Sequence, residues 1–397
     1  MKQPDQFANA YGFTRNQVHL HNWRNSPWNV WAFRHVPEFI PTAEIRSYSV
    51  EPEELVVGPH RLIEKSVKIA GESEPLIDVL RRTWTDALVV MKSGRFIAEF
   101  HASQFDLQTR HIMFSSSKSI TGLLVGLLVG DGLIELDAPV ARYVPELGRS
   151  AFGNASIQHV LDMRTSVVFT EEYGDSLGDF ARYRRAGLLD PQMEGTPQET
   201  VIEFLASLQK GSNEHGGPFY YCSPNSDVLG LVVERASGER LADFAATRLW
   251  RPLGLRQSGS ITVDTEGTPR AGGGISMTPR DLARIGEAMR CGGKALGRQV
   301  ISPEWVADTI SGGDMQAWRE GNFADWLPGG SYRNQWYQSG NAHQAFFTLG
   351  IHGQWLYVDP QSEVVIVKFS SQPNPVDALM KMTNLHLFNE ISNFNFT

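Results

Sequence analysis

This sequence contains few cysteines and no long apolar runs. Its 397 residues include two cysteines, Cys222 and Cys291, which are too few for a disulfide framework. The most apolar stretch, residues 120–129, is much shorter than the about 20 residues that a membrane-spanning helix needs. The start, MKQPDQFANAYGF, shows no apolar segment after its lysine and therefore no secretory signal. We expect a cytoplasmic protein that does not associate with membranes.

Basic stripes and metal-ligand spacings are missing as well. The formal net charge is -8, and no block of Lys and Arg forms the positive surface that nucleic acids require. His19 and His21 have no third ligand at a metal spacing, so a surface pair is the favoured interpretation. The sequence therefore predicts neither a nucleic-acid partner nor a bound metal.

The apolar segments that are present predict an α+β fold. Residues 86–101 and residues 353–371 each contain two apolar runs around a short polar turn, which is typical of a β-hairpin. Between them, several segments carry apolar residues at the i, i+3, i+4 spacing of amphipathic helices. These predicted helices are residues 156–164, 197–209, 226–237, 241–250 and 278–291. We expect an antiparallel sheet built from both chain ends and flanked by helices, with a mainly helical insert.

The chain length favours two domains, because single hydrophobic cores usually stop growing at about 250–300 residues. We predict a discontinuous α/β domain of residues 1–142 and 273–397, which carries the sheet, and a mainly helical domain of residues 143–272. Residues 1–50 are rich in Asn, Pro and Trp without a clean period, which indicates an irregular arm held by its aromatic side chains.

A cluster of serines and a lysine precedes the most apolar helix of the chain, in HIMFSSSKSITGLLVGLLVGDG at residues 111–132. Serine at a helix start is ordinarily a cap, and that remains the alternative here. Lys118, however, falls in the first turn of a helix that we expect to be buried, where burial lowers the pKa of an ammonium group. On a helix Ser115 and Lys118 share one face, so one hydroxyl meets one amine, the pattern of an activated nucleophile.

Two other serines compete for this role. Ser176 lies in GDSLG, a formal G-x-S-x-G match, but no buried strand precedes it and a charged segment follows. Ser207 and Lys210 form a second S-x-x-K match at a polar helix end. We interpret the first as a loop serine and the second as a structural helix end. Cys222 has no nearby base pattern and is not expected to be a nucleophile.

A proton donor for the leaving group is expected in GGPFYYCSPNSDVLG, at residues 216–230. Tyr220 and Tyr221 lie on an extended segment, where neighbouring side chains point in opposite directions. Only one of them can therefore enter a site. The alternative, that both tyrosines serve packing, stays open at this point.

The sequence resembles the serine β-lactamase and penicillin-binding-protein superfamily. FSSSKSITGLLVGLLVGDGLIELDAPVARYVPEL is similar to its nucleophile helix, and three later blocks resemble its class C and esterase branch. Those blocks are SIQHVLDMRTSV, FYYCSPNSDVLGLVVERASGERLADF and GGGISMTPRDLARIG. The resemblance extends to the nylon-oligomer hydrolases of that branch through NVWAFRHVPEFIP and GIHGQ, and it covers nearly the whole chain after about residue 25.

The resemblance implies the β-lactamase/transpeptidase-like fold and a set of site residues. Ser115 matches the nucleophile, Lys118 its base, and Tyr221 the tyrosine that carries a proton to the leaving group. The backbone N–H groups of Ser115 and Ile351 match the oxyanion hole. Tyr173 resembles a loop tyrosine that closes over bound amide substrate.

The chain also departs from the pattern of the superfamily. It contains no Lys-Thr-Gly, whose place is taken by Leu349-Gly350-Ile351, and Ser223 stands where class C β-lactamases have Asn. Gly272 replaces a larger polar residue of the nylon-oligomer hydrolases, which implies a wider pocket.

Further substrate-binding candidates lie in and near the loop that follows Tyr173. Asp179, with Asp175, is a candidate for holding a substrate amine, although solvated loop acids are the favoured interpretation. His352 either lines the site beside Ile351 or is a packed strand histidine.

We therefore expect a serine hydrolase that acts through an acyl-enzyme on an ester or amide of small size. No cofactor is needed for this chemistry, and a homodimer is a possible assembly. One alternative is a β-lactamase or DD-peptidase on the same scaffold, and another is a non-catalytic binding protein that kept the fold. The natural substrate does not follow from the sequence.

Overall fold

The computed structural model describes residues 6–56 and 62–395. The outer ends of the predicted discontinuous domain, at residues 1–5 and 396–397, therefore lie outside the described residues, as do residues 57–61. We number strands and helices in chain order. The strands are β1 Thr42–Ile45, β2 Ser66–Ile69, β3 Glu72–Pro75, β4 Thr85–Lys92, β5 Arg95–His101, β6 His111–Ile112, β7 Gly259–Thr262, β8 Ile275–Met277, β9 Lys294–Ala295, β10 Arg298–Gln299, β11 Ser331–Arg333, β12 Trp336–Gln338, β13 Phe346–Gly350, β14 Gln354–Asp359 and β15 Val364–Ser370.

The helices connect and cover these strands. They are α1 Gln6–Tyr11, α2 Asn29–Ala32, α3 Leu76–Arg82, α4 Ser117–Gly130, α5 Ile157–Leu161, α6 Asp179–Ala186, α7 Val201–Ser207, α8 Pro224–Ser237, α9 Leu241–Ala245, α10 Arg251–Leu253, α11 Pro279–Arg290, α12 Pro303–Ser311, α13 Met315–Arg319 and α14 Ala378–Ser392. A π-helical turn, Ala246–Trp250, joins α9 to α10. No helix of the described residues is long and apolar enough to cross a membrane.

A seven-stranded antiparallel sheet joins the two ends of the described chain, in the order β11-β12-β13-β14-β15-β4-β5. The hairpin β4–β5 and the hairpin β14–β15 meet where β15 pairs with β4. Because both faces of this sheet are covered, its central strands are buried along almost their whole length. Leu282 and Ile285 of α11 belong to the apolar core on one face, and Phe388 and Ile391 of α14 to the core on the other. The two predicted hairpins and the α+β class are confirmed.

A smaller sheet, in the order β1-β7-β8-β6, lies beside the start of α4. Met113 donates its N–H to the carbonyl of Ile275, and Ile112 donates to Phe33 of the N-terminal arm. Strand β7 lies before residue 272 and β8 after it, so this sheet takes strands from both sides of the predicted domain boundary. The arm, which we predicted to be irregular, contributes strand β1 to this sheet.

Helix α4 is buried on every side, as its uncharged apolar sequence predicts. Two of its glycines permit this burial by close approach. A Cβ on Gly122 would lie 2.4 Å from the carbonyl oxygen of Asn334, and one on Gly126 would lie 2.4 Å from the Trp305 ring. Any larger side chain at these positions would push the helix away from its neighbours.

The predicted helices exist, with boundaries set by their caps. Thr278 caps α11 by accepting the N–H of Asp281, which reproduces the predicted start within one residue. Helix α7 begins at a capping box formed by Thr200 and Glu203, later than the predicted residue 197. Helix α5 ends at Leu161, earlier than predicted, because Met163 adopts a positive φ of 55° that a helix cannot continue through.

Candidate functional site

Ser115 and Lys118 lie at the buried start of α4. A 3-10 turn, Phe114–Ser116, leads directly into the helix and places the two side chains on the same face. The Nζ atom of Lys118 lies 3.0 Å from the Oγ atom of Ser115. Lys118 is 1% exposed, so this amine is almost completely removed from water. The pairing predicted from the i, i+3 spacing is therefore present as a direct hydrogen bond.

Burial lowers the pKa of Lys118 to about 8. Carboxylates of Glu171 and Asp227 act in the opposite direction, whereas the Arg270 guanidinium lowers the pKa further. At pH 7 an amine with this pKa is neutral in about a tenth of the molecules, compared with less than about one in a thousand at its ordinary pKa. The site therefore supplies an amine that can accept the proton of the neighbouring hydroxyl.

Lys118 also donates a hydrogen bond from Nζ to the backbone carbonyl of Gly272, at 2.5 Å. Asp227 fixes this glycine, because its Oδ1 accepts the Gly272 N–H at 2.7 Å. The other carboxylate oxygen of Asp227 accepts hydrogen bonds from the Arg270 guanidinium at 2.5 Å and from the Tyr183 hydroxyl at 2.6 Å. A buried ion pair thus positions the carbonyl that orients the amine. The sequence analysis did not identify Asp227 or Arg270, since they are distant in the chain and match no motif.

Gly272 lines the site, but the expectation that it widens the pocket needs correction. A Cβ at this position would lie 3.0 Å from the Ser223 carbonyl and 3.3 Å from both Asp227 and Tyr183. A larger side chain would therefore require these neighbours to shift by a few tenths of an ångström. Gly272 thus allows close approach of two segments, and it does not by itself open empty volume.

Tyr221 reaches the same group of side chains, and Tyr220 does not. The Lys118 Nζ lies 5.2 Å from the centre of the Tyr221 ring. Burial raises the pKa of Tyr221 well above 10, although hydrogen bonds with Ser115, Ser223 and Tyr337 act the other way. Tyr220 points in the opposite direction and donates its hydroxyl to the carbonyl of Phe169. Tyr221 therefore stays protonated at ordinary pH and can donate a proton.

Glu171 is a central residue of the site that the sequence analysis missed. Its Oε2 accepts the Ser223 N–H, and its Oε1 accepts the hydroxyls of Ser223 at 2.9 Å and Tyr173 at 2.8 Å. It is also the carboxylate that most strongly opposes the lowered pKa of Lys118. Nothing in FTEEY distinguishes Glu171 from Glu172, so only the folded loop reveals its position.

The two backbone N–H groups assigned to the oxyanion hole come from segments that pack against each other. Gly350 ends β13 next to Ile351, and a Cβ on Gly350 would lie only 2.3 Å from the Met113 carbonyl. This contact brings Ile351 next to the turn that carries Ser115. Both residues line both of the cavities described below.

Backbone strain flanks both of these N–H groups. Phe114, which precedes Ser115, has a φ of 44°, and His352, which follows Ile351, has a φ of 59°. Non-glycine residues rarely adopt such values, and those that do often mark functional sites. The ring of Phe33, from the N-terminal arm, packs against Phe114 at 4.9 Å and His352 at 5.1 Å between ring centres. The arm therefore clamps the two strained residues together.

His352 both lines the cavity and packs as a buried ring, so the two readings of the sequence describe the same residue. Its Nδ1 lies 2.7 Å from the Gln372 carbonyl, so Nδ1 carries the proton and donates. Burial lowers the pKa of His352 to about 4. The imidazole is therefore neutral near pH 7 and offers no positive charge to a substrate.

Tyr173 lies in the cavity wall, whereas Asp179 does not. The Tyr173 ring packs edge-on against Phe180 at 4.8 Å between ring centres. Asp179 is the exposed first residue of α6, its carboxylate accepts the Thr170 N–H, and it lines neither cavity at Ser115. Asp175 is likewise exposed and accepts the N–H of Leu177. In this structure Asp175 and Asp179 are therefore exposed acids, which was the favoured interpretation of the sequence.

Two cavities meet at Ser115. The first has a volume of about 500 Å³ and lies towards α6 and the N-terminal arm. The second has a volume of about 320 Å³ and lies towards β13 and α14. Ser115, Glu171, Tyr173 and Ile351 line both of them. A substrate bound with its reacting carbonyl at Ser115 can thus place one half in each cavity.

The competing candidates do not assemble comparable sites. Lys210 pairs with Glu214 at 2.7 Å and not with Ser207. Ser176 lies on an exposed loop of the first cavity, without a strand before it. Burial raises the pKa of Cys222 well above its ordinary value, which disfavours the thiolate. Among the described residues, no group of three or more His, Cys, Asp and Glu side chains could hold a metal.

A buried serine–lysine pair with a nearby tyrosine, at the start of a helix packed on a mixed α+β scaffold, is an arrangement suited to an activated serine nucleophile. A family model described as Beta-lactamase matches residues 79–389. The chain therefore belongs to the beta-lactamase family, and it is a hydrolase.

Individual relatives agree with this placement. The 6-aminohexanoate-dimer hydrolase of Paenarthrobacter ureafaciens is 37% identical over 365 residues, which cover 92% of this chain and 91% of that protein. Esterase EstB of Burkholderia gladioli is 33% identical over 157 residues, or 38% of each chain. The solved structure of a Bacillus anthracis protein, provisionally assigned as a 6-aminohexanoate-dimer hydrolase, superposes with a TM-score of 0.86 at 25% identity. That match covers 96% of this chain and 97% of the other, and the resemblance stated from the sequence is confirmed.

Proposed function

We propose that this hydrolase cleaves carboxylic esters and linear amides through an acyl-enzyme on Ser115. The observation that carries the proposal is the 3.0 Å contact between the Lys118 amine and the Ser115 hydroxyl at the meeting point of two cavities. The names of the relatives, one a hydrolase of 6-aminohexanoate dimer and one an esterase, support the same two bond types.

In the first half-reaction neutral Lys118 takes the proton of Ser115 as the oxygen attacks the carbonyl carbon of the substrate. The N–H groups of Ser115 and Ile351 donate hydrogen bonds to the developing oxyanion. Tyr221 gives its proton to the leaving oxygen or nitrogen as the bond to the acyl carbon breaks. The proton that Lys118 holds then returns to Tyr221, which restores the phenol.

The second half-reaction releases the acid. Water takes the place of the leaving group and attacks the acyl carbon, while neutral Lys118 receives one proton from it. The ester bond to Ser115 breaks, and the Ser115 oxygen recovers a proton. Each group ends in the protonation state in which it began, so no cofactor and no external acid or base are required.

The charges around the first cavity are balanced. Guanidinium groups of Arg24, Arg184 and Arg270 line it together with the carboxylate of Glu171. Asp190 pairs with Arg24 and Arg184, and Asp227 pairs with Arg270. We therefore propose no charge requirement for the acyl half of the substrate.

Three further expectations from the sequence remain proposals. The division into residues 1–142 with 273–397 and residues 143–272 is supported by the seven-stranded sheet, whose strands all come from the first unit, whereas the smaller sheet takes β7 from the second. A cytoplasmic location and a homodimer are proposed with it. Sedimentation velocity at several concentrations tests the dimer, since a single monomeric species throughout would reject it.

Steady-state kinetics with a short-chain p-nitrophenyl ester tests the function. We expect turnover by the wild type and loss of several orders of magnitude in Ser115→Ala, with an unchanged melting temperature. Ser116→Ala is not the control, because that side chain is buried against Gln354. Ser207→Ala is the matched control and should keep wild-type activity, because Ser207 is the exposed serine of the second S-x-x-K match and lines neither cavity.

Two outcomes would overturn the proposal in different ways. Hydrolysis of nitrocefin in clear preference to the ester would identify a β-lactamase or DD-peptidase. Failure to react with an ester, an amide or a phosphonate probe would identify a non-catalytic binding protein that kept the fold.

A further inference from the structure

Tyr337 is a second buried tyrosine beside the proton donor, and the reaction described above does not use it. It lies in β12, is 3% exposed, and lines the second cavity together with Tyr221. Neither tyrosine lines the first cavity. Since Tyr221 is the donor to the leaving group in the proposed mechanism, the departing half of the substrate occupies the second cavity, next to both phenols.

Aromatic packing fixes the Tyr337 ring relative to Tyr221. Phe323 stacks on Tyr221 at 4.9 Å between ring centres and lies within 10° of parallel to Tyr337 at 6.5 Å. Phe347 stacks on Tyr337 at 5.3 Å, and Tyr332 packs edge-on against it at 4.7 Å. The Tyr337 hydroxyl in turn forms a hydrogen bond with the Tyr221 hydroxyl. The Tyr337 phenol therefore has little freedom to turn away from Tyr221.

When Tyr221 gives its proton to the leaving group, it becomes a phenolate, which can only accept hydrogen bonds. Its oxygen has hydrogen bonds with three hydroxyls, those of Ser115, Ser223 and Tyr337. The protonated amine of Lys118 lies 5.2 Å from the centre of the Tyr221 ring. A buried charge without donors is costly, so the reaction depends on which of these hydroxyls can donate.

Two of the three hydroxyls are already committed at this stage. Ser115 has lost its proton, because its oxygen has formed the bond to the acyl carbon. The single hydroxyl proton of Ser223 is donated to the Glu171 carboxylate, with 2.9 Å between the oxygens. Burial raises the pKa of Tyr337 well above its ordinary value, so Tyr337 keeps its proton near pH 7. Of the three hydroxyls, that of Tyr337 is therefore the one able to donate to the phenolate.

We propose that Tyr337 is a positioning residue that donates a hydrogen bond to the Tyr221 oxygen and stabilises the phenolate formed as the leaving group departs. Tyr337 keeps its own proton throughout. The proton that reaches the leaving oxygen or nitrogen comes from Tyr221, and Lys118 then returns one to Tyr221. A stabilised phenolate makes Tyr221 a stronger acid, which matters most for leaving groups that must be protonated. This proposal rests on the proposed function of Ser115, and the experiment separates the two.

The test measures how strongly kcat/KM depends on the leaving group in the wild type and in Tyr337→Phe, which keeps the ring and removes only the hydroxyl. Butanoyl esters of p-nitrophenol, phenol and ethanol, with the butanoyl amide of ethylamine, share one acyl half. We expect Tyr337→Phe to lose less than about twofold on the p-nitrophenyl ester and about tenfold on the amide, the size expected for a hydrogen bond to a charged group. The other two esters should fall between these limits.

Tyr332→Phe is the matched control. Tyr332 is a buried tyrosine that packs against Tyr337 and lines neither cavity, so its variant should keep the wild-type dependence on the leaving group. A double variant gives a second readout. Because Tyr337 acts through Tyr221, adding Tyr337→Phe to Tyr221→Phe should cause little further loss. The fall of the rate in acid, which Lys118 controls, should stay at the wild-type pH in Tyr337→Phe.

The outcomes are distinguishable. Turnover of the p-nitrophenyl ester that requires Ser115 supports the proposed function whatever Tyr337→Phe does. No loss in Tyr337→Phe, equal losses across the series, the same pattern in Tyr332→Phe, or full additivity in the double variant would overturn the role of Tyr337. Absence of turnover with every substrate would reject the proposed function and, with it, this proposal.

Discussion

At the scale of single residues, the proposed mechanism depends on the neutral form of Lys118. Desolvation lowers its pKa to about 8, and the nearby carboxylates of Glu171 and Asp227 only partly oppose this shift. The base must be unprotonated to accept the Ser115 proton, so activity is present above this pKa and lost as the pH falls below it. This gives the pH dependence a definite direction.

The acylation rate should therefore rise with pH and level off above about pH 8. Below that, it should fall about tenfold for each pH unit, because one deprotonation controls it. Pre-steady-state burst kinetics with a p-nitrophenyl ester over pH 5.5 to 9.5 measures this directly.

The variant Lys118→Arg tests whether the side chain must lose its proton. Because a guanidinium does not release its proton, its activity should be as low as that of Lys118→Ala, about 10³-fold or more below wild type. An arginine variant with substantial activity would mean that positive charge alone is sufficient, and the role of a general base would be lost.

Tyr221→Phe should affect amides more than esters. An alkoxide leaves with little assistance, whereas an amide nitrogen must be protonated as the C–N bond breaks. We expect a loss of about 10²-fold or more for an amide and roughly tenfold for the matching ester. Comparing kcat/KM for the two substrates in both proteins checks this, and equal losses would remove the selective role of the tyrosine.

The residues of the site differ in how far the sequence reveals them. Ser115, Lys118 and Tyr221 lie in local patterns whose geometry a helix or an extended segment largely determines. Glu171 and Asp227 act through contacts that are formed only when distant segments meet. No local period encodes such contacts, so the sequence gives no reason to select them from the other acids.

At the scale of elements, the N-terminal arm packs against the proposed oxyanion site. Phe33 touches both Phe114 and His352, whose strained backbones flank the N–H groups of Ser115 and Ile351. Strained residues of this kind persist only where their surroundings hold them. Removing part of this clamp should let the two N–H groups move apart.

Phe33→Leu should therefore lower kcat about tenfold with little change in KM, since donors of the oxyanion act mainly in the transition state. The volume is nearly conserved, so the cost in stability should be about 1 kcal/mol. Phe152→Leu, at a fully buried aromatic residue that lines neither cavity, is the control with a similar loss of stability. An equal fall of kcat in both variants would show that stability, and not positioning, is responsible.

Strands and helices with a strong hydrophobic period could be predicted from the sequence. Short strands that form only by pairing with distant strands could not. The hairpins and α11 follow from alternation and a helix cap. The short strands β1 and β6 are too brief for a recognisable period, and they exist because β7 and β8 pair with them. The arm was read as irregular for the same reason, since its contacts with the site come from tertiary packing.

At the scale of the whole molecule, the two cavities set the order of substrates. Esters need only the nucleophile, base and oxyanion site, whereas unstrained amides also need Tyr221 and an accurately placed Tyr173 loop. Misplacement of about 1 Å can cost on the order of a hundredfold. The sequence resemblance places Leu349 at the position of the Lys-Thr-Gly lysine, and Leu349 lines the second cavity. This position therefore offers no cation to a β-lactam carboxylate.

We expect kcat/KM to decrease from a short-chain p-nitrophenyl ester to 6-aminohexanoate dimer and then to nitrocefin. Measuring all three substrates under one condition tests the order. Nitrocefin as the best of the three would contradict the proposed division of the substrate between the cavities.

The most direct test of the central claim is the identity of the residue that becomes acylated or phosphonylated. Intact-protein and peptide mass spectrometry after reaction with a p-nitrophenyl alkylphosphonate should show one adduct per chain, on Ser115. Ser115→Ala should show none, and Lys118→Arg should react far more slowly than wild type. An adduct on Ser176, Cys222 or any other residue in the wild type, or labelling that persists in Ser115→Ala, would contradict the mechanism.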